Sequence, residues 1–270
     1  MVGNGYYVID AHCHIYPEKI AAAAVGNTDR FYGVTSACLG TVQDLLARDA
    51  EAGIDHAVVQ SVATTPKQVK SINEFIAGQV AASGGRFTGL GTLHPDSADQ
   101  EGDLEYLISL GLHGVKLHPD IQDFKIDDYR CLKIYELCEK HRVPVLMHTG
   151  DVRYDRSNPN RLMPVLSIYT GLTVIGAHFG GWSIWESAAD ELHGKFPNLY
   201  VDCSSSLYRL TPDAARRIIG EFGADRVLFG TDYPMWSPAS EIKSFLSLGF
   251  DDDTNRKILG ENARRVYGIQ

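Results

Sequence analysis

YYVIDAHCHI, residues 6–15, is a short run of β-branched and aromatic residues that closes on a polar cluster, and the chain repeats that design seven more times. The later runs are IDHAVVQSV from Ile54, FTGLGTLHP from Phe87, LHGVKLHP from Leu112, VPVLMHTG from Val143, LTVIGAHFGG from Leu172, LYVDCSSS from Leu199 and RVLFGTDYP from Arg226. Each reads as a strand ended by Gly, Pro, Ser or a polar group. Amphipathic stretches separate them. Thr41 with Asp44 and Ser183 with Glu186 read as capping boxes. Thr211-Pro212 and Ser237-Pro238 put an N-cap before proline at the first helical position. Eight strand–helix repeats predict an α/β fold, a parallel (β/α)8 TIM barrel. The tail Asp253–Gly268 reads as one extra C-terminal helix ending at a glycine. A doubly wound open sheet is the competitor, but it often carries a glycine-rich nucleotide loop after its first strand, and none follows here.

Ile15–Gly40 intervenes before the first clear helix, and an insertion at that point lies over the barrel mouth, where it shapes a pocket or a lid. No linker or low-complexity segment divides the chain, so residues 1–270 are read as a single domain. With 44% hydrophobic and 22% charged residues, composition fits a globular protein with an ample core. A net charge of −9 argues against nucleic acid and anionic membrane as partners, though not against a small anionic substrate. The five cysteines are scattered with no CxxC pair, which points away from a disulfide framework or a thiolate zinc site. The start, MVGNGYYVIDAHCH, has no basic n-region, and no run of about 18 apolar residues occurs, so the expectation is a cytoplasmic protein without a membrane span.

Chemistry enters at the strand ends, where barrels of this kind keep their active groups. Of ten histidines, six stand there: His12, His14, His94, His118, His148 and His178. Asp232 ends the eighth strand. His12 and His14 are two residues apart, so alternation points both imidazoles to one side. His148 and Asp232 arrive from distant positions that a closed barrel brings to the same axis. Three imidazoles and a carboxylate suit Zn²⁺, Mn²⁺ or Fe²⁺ better than Ca²⁺ or Mg²⁺. His12, His14, His148 and Asp232 are therefore the expected ligands of one divalent metal, with Zn²⁺ favoured. Asp10 is expected to share the inward parity of His12 one layer deeper, as a supporting partner. His118 and His94, each before proline, either line the pocket or cap loops. Trp182, Tyr233, Trp236 and Phe124 either wall the pocket or pack against helices. Cys13 should point away from the lumen, and His56, His113, His141 and His193 are read as structural or exposed on the opposite rim.

In this arrangement IDAHCH (9–14), GVKLHP (114–119), VLMHTG (145–150), GAHFGG (176–181), VDCSS (201–205), LFGTDYP (228–234) and KILGENARRVYG (257–268) together resemble the amidohydrolase superfamily. The closer resemblance is to its branch of aminocarboxymuconate semialdehyde decarboxylase, related decarboxylases and metal-dependent hydrolases. The resemblance implies the same four metal ligands, His178 as an unligated catalytic histidine, and Asp232 as proton acceptor as well as ligand. It leaves His178 open as a ligand of a second metal, less expected than one. It also implies two readings of Lys116, a carboxylated bridge or, preferred, an unmodified cation contacting a substrate carboxylate or a core carboxylate. Lys116, His118 and Trp182 are the expected substrate contacts, and homodimers are common in the branch.

The expected activity is a metal-dependent hydrolase that cleaves an amide, ester or lactone of a small molecule with metal-activated water. The alternative is a metal-dependent non-oxidative decarboxylase of a small unsaturated or aromatic acid. A deoxyribonuclease-like enzyme would want a glutamate ligand where Lys116 stands. A non-catalytic barrel would be expected to have lost a ligand. Arg153, Arg156 and Arg209 are either clamps for a substrate carboxylate or surface residues.

Overall fold

The computed structural model describes residues 5–270; residues 1–4, part of the expected domain, lie outside the described residues. Nine strands run parallel: β1 (Ile9–His14), β2 (His56–Gln60), β3 (Phe87–Gly89), β4 (Gly91–Thr92), β5 (Val115–Leu117), β6 (Val145–Met147), β7 (Val174–Gly176), β8 (Leu199–Asp202) and β9 (Val227–Leu228). They pair in chain order, β1-β2-β3 and β4 through β9. The two groups join because β3 and β4 are one path stepping through Leu90. Leu90 N donates to Val59 O at 2.9 Å on one side, and Gly91 N donates to Gly114 O at 2.9 Å on the other. The ring closes where Ala11 N donates to Phe229 O and Cys13 bridges Tyr233 in parallel. This is the closed eight-fold barrel that the sequence predicts, its third strand broken in two.

Side chains inside the barrel divide by height. The lower interior is apolar: Ile9, Ala11, Val58, Leu90, Leu146, Ile175 and Leu228 form one buried cluster. A second, larger core lies between the strands and the outer helices. The C-terminal segment seals the bottom, with Ala263 and Tyr267 packed against the interior cluster. It is not the single regular helix expected over Asp253–Gly268. Helical turns at Asp252–Arg256 and Asn262–Tyr267 flank a π turn, Lys257–Glu261. At Gly260 a Cβ would stand 2.6 Å from the Tyr7 carbonyl oxygen, so glycine is what permits the close approach there. The expected glycine stop holds: Gly268 is left-handed, φ 66°.

Helix starts follow the sequence in part. Thr41 Oγ1 accepts from Asp44 N at 3.2 Å, and Thr211 caps the helix from Pro212. Ser237 precedes its helix without a side-chain cap bond. Ser183 does not cap at all. Its backbone is left-handed (φ 65°), its Oγ accepts from Val152 N, and the helix begins at Trp185. No described helix is long and apolar enough to cross a membrane.

The insertion after β1 also differs from expectation, because it holds a helix of its own, α1 (Glu18–Tyr32). Four alanines from Ala21 favour it, and Gly33 ends it in the left-handed conformation with its N–H on Asp29 O at 2.8 Å. The helix lies over the mouth, as expected of the insertion: its residues line the cavity there.

Candidate metal centre and pocket

β1 carries a fault that decides what it presents. Between Asp10 and Cys13 its register with β2 slips by one residue, a β-bulge. Ile9 and Ala11 face the apolar interior below the slip, while His12 and His14 face the cavity above it. Asp10 is thereby turned to the other face, and the expected inward parity with His12 is overturned. Its carboxylate instead accepts from Thr231 Oγ1 at 2.5 Å, Thr231 N at 2.9 Å and His12 N at 3.1 Å, tying β1 to the loop after β9. Gly230 completes this seam, since a Cβ there would stand 2.9 Å from the Cβ of His12.

His12 Nε2, His14 Nε2 and Asp232 Oδ1 converge, at 3.2 Å between the imidazoles and 3.3 and 3.6 Å to the carboxylate oxygen. A cation about 2.1 Å from tetrahedrally arranged donors holds them about 3.4 Å apart. These three donors fit a divalent metal. His12 is oriented for it by Asp202, whose Oδ2 accepts from Nδ1 at 2.9 Å and leaves Nε2 with its lone pair inward. Asp202 also accepts from His178 N, Ser204 N and Ser204 Oγ. Burial opposes its charge, but His12, His178 and Ser204 hold its carboxyl well below the usual carboxylate range. Asp232 is likewise lowered against its burial, by His12, His178 and the Ser205 hydroxyl that donates to Oδ2.

His148 is placed differently. Its Nδ1 lies 3.1 Å from His178 Nε2, and its Nε2 faces Asp120 Oδ2 at 3.5 Å. With His118 and Asp120 it forms a second cluster of metal-type donors; His12, His178 and Asp202 form a third. His118 stacks on His148 with ring centroids 3.9 Å apart. Its Nδ1 accepts from Ile121 N at 3.3 Å, which assigns the proton to Nε2 and makes that nitrogen the donor to Tyr32 Oη at 2.7 Å. His178 spends Nδ1–H on Ser204 O at 3.0 Å, leaving Nε2 as the acceptor toward His148. Burial pushes His178 down to about 4 against the pull of Asp232 and Asp202, so the ring is neutral at pH 7. Burial likewise lowers His14, His118 and His148.

Lys116 points inward as its parity requires, fully buried, with Nζ 3.2 Å from His12 Nε2. Burial brings it down to about 8, opposed by Asp232 and Asp202. Asp120, held by Ser157 Oγ at 2.6 Å, is pushed up to about 6 by burial. Gln60, level with His14 in the ladder and buried, has no hydrogen-bond partner for its amide among the described residues, nor does Asp120 Oδ1.

His12, His14, Lys116, Asp120, His148, His178 and Asp232 form the floor of a cavity of about 770 Å³. Lys116, His118, Trp182 and Trp236 line it. His94 does not; it accepts from Asp96 N and caps its loop. Tyr233 and Phe124 belong to the buried core, Tyr233 hydrogen-bonding Thr41 O and Asp44. The arginines are not among the lining residues. Arg153 is held by Asp151 and donates to Phe31 O, and Arg156 pairs with Asp123. Lys19 and Lys116 are the cationic residues among those lining the cavity. Cys13 is buried in the outer core, away from the lumen as expected, and His56 bonds Gly85 O and Thr88 as a structural group.

Sequence reasoning left Asp202, Asp120, Ser204 and Tyr32 without roles. Asp202 had a readable signal, a carboxylate at the end of LYVD on the same alternation as Tyr200. Tyr32 had none, because its place depends on a helix the sequence reading did not draw.

Solved structures share this architecture. An uncharacterized TIM-barrel protein of Bordetella bronchiseptica is 25% identical, with a TM-score of 0.80 over 97% of this chain and 98% of its own. A putative 2-pyrone-4,6-dicarboxylic acid hydrolase of Pseudomonas putida is 20% identical, TM-score 0.69, over 98% of both chains. A dihydroxybenzoic acid decarboxylase of a Polaromonas species, solved with bound manganese and 2-nitroresorcinol, is 19% identical, TM-score 0.71, over 97% of both. The family model described as amidohydrolase matches residues 9–269, nearly the whole sequence. This chain belongs to the amidohydrolase family.

Proposed function

We propose that the protein is a metal-dependent hydrolase that opens an amide, ester or lactone of a small molecule. The observation that carries the reading is the convergence of His12, His14 and Asp232 at ligand spacing, with His178 on the same cavity wall. His12, His14 and Asp232 would hold one divalent ion, Zn²⁺ or, as in the decarboxylase neighbour, Mn²⁺, with His148 standing beside His178 instead of at ligand spacing. Such an ion supplies Lewis acidity toward a carbonyl and brings the pKa of a water to about 7. Asp232 divides the work between its oxygens: Oδ1 faces the imidazoles, while Oδ2 is held by Ser205 and can take up a proton. His178, neutral and with Nε2 unprotonated, receives or returns a proton beside it. Trp182 and Tyr32 pack edge to face and screen the floor from water.

The absence of arginine from the lining supports a neutral carbonyl substrate over a polyanion. A second reading, decarboxylation of an aromatic acid, is favoured by the aromatic walls Phe31, Tyr32, Trp182, Tyr208 and Trp236 with Lys116 beneath them. The test is elemental analysis of the purified protein, then turnover of lactones, esters, amides and hydroxybenzoic acids with each detected divalent metal. Hydrolysis without carbon dioxide supports the first reading. Carbon dioxide release without hydrolysis transfers the assignment to the second, and protein that binds no metal removes both.

A further inference from the structure

An amphipathic helix normally lays its apolar stripe on the core. α1 does not: Ala21 is its only buried residue, and Ile20 is 46% exposed. Its apolar residues Ile20, Ala23, Ala24 and Phe31, with the polar Asn27 and Thr28 between them at spacing i+7 and i+8, face the cavity instead. The same cavity is lined by a second stripe, on the helical segment that begins at Pro66 and continues as Val69–Ala82: Gln68, Ser71, Ile72 and Phe75. Val62, after β2, joins them. Residues of two helices thus line the same cavity whose floor is the metal centre.

We propose that this lobe is a subsite for the apolar acyl or alkyl chain of the substrate, whose polar, reacting end lies at the floor. Three observations agree. The walls nearest the helices are aliphatic or small, with Ala23 and Ala24 making room where larger residues would close the gap. The polar groups that also line it, Lys19, Asn27, Gln68 and Ser71, are all exposed, so they keep their contact with water beside an apolar chain. The cavity, about 770 Å³, lies toward the upper end of sizes typical for drug-sized ligands, roughly 300–1,000 Å³, and exceeds what a single-ring acid needs. The inference rests on the proposed hydrolase reading only for which end of the ligand is polar.

Straight-chain hydroxamic acids from acetohydroxamic to decanohydroxamic acid test it by calorimetry, with metal-free protein and with protein loaded with Zn²⁺ or Mn²⁺. Burial of each methylene should tighten binding by about two- to four-fold over the first several carbons, in both forms. Ala24→Phe, checked for folding by circular dichroism, should flatten that gain toward one-fold per methylene, and Phe75→Ala should move the chain length at which it levels off. Affinity independent of chain length, or an undiminished gain in folded Ala24→Phe, overturns the subsite. If neither metal tightens any member of the series, the metal-centre reading fails, while the chain-length gain in metal-free protein still decides the lobe.

Discussion

The same strands do opposite things at their two ends. Below, Ile9, Ala11, Val58, Leu90, Leu146, Ile175 and Leu228 make an apolar plug that the C-terminal helix closes. Above, His12, Lys116, His148, His178 and Asp202 are buried and His14 and Asp232 half-buried, crowded together under the cavity. The mouth also holds most of the strain. His178, Phe179, Ser183, Ser205 and Asp232 are non-glycine residues at φ between 46° and 65°, in the loops that follow β7, β8 and β9, whereas at the opposite end Arg142, before β6, has φ 55°. Such residues cost on the order of 1–3 kcal/mol each and persist only where surroundings fix them. Here Asp202 accepts from His178 N and Ser205 anchors Asp232. The lower half stabilises and the upper half spends that margin on geometry, which is why the two should answer differently to substitution.

The widest separation is expected between His178 and the plug. His178→Asn should lower kcat by about 10²–10⁴-fold on any substrate the screen identifies, with metal content and thermal midpoint close to wild type. A comparable loss of metal would instead make His178 a ligand. In the plug, Ile175→Ala should cost about 2–5 kcal/mol of stability in denaturant titration and leave metal stoichiometry unchanged. If it empties the metal centre, the two halves are not separable. Between these lies Asp202→Asn, which touches no substrate. It removes the carboxylate that orients His12 and should weaken metal affinity by about 10–100-fold, read by competition with a chromogenic chelator. Unaltered affinity would mean that Ser204, 3.1 Å from His12 Nδ1, orients the ring unaided.

The lower half was legible in the sequence because each repeat is local: an apolar run, a turn, a capped helix. What escaped there was set by contacts between distant segments. The break at Leu90 and the π turn at Gly260 answer to close approaches no local pattern encodes. The mouth was legible only in its residue types. HxH spacing put His12 and His14 together correctly, but the bulge that turns Asp10 away leaves no mark in IDAHCH. Gly26 and Asn27, both weak helix formers, stand inside α1, the helix that delivers Tyr32. His148 was expected beside His12 and His14, and only coordinates could show it against His178.

A third region tests whether burying charge is peculiar to the mouth. Asp49, on the helix Val42–Ala52 outside the barrel, is 1% exposed, and its Oδ1 has no partner. Burial raises it to about 8, Asp10 adds to the rise, and Arg86 opposes it. The folded protein therefore keeps a proton there that the unfolded chain releases near pH 4. With the folded pKa above the unfolded one, the stabilisation is full below about pH 4 and is lost as pH rises toward 8, at up to about 1.4 kcal/mol per pH unit. Asp49→Asn has no proton to lose. It should gain on wild type steadily across that window and be the more stable protein at pH 8, measured by urea unfolding at pH 5, 6.5 and 8. Parallel pH profiles for the two proteins would mean that Asp49 is ionised in the fold, paired with Arg86. The mouth would then no longer be set apart by holding its charged groups in partnered networks, and the contrast between the two ends would reduce to which residues line the lumen.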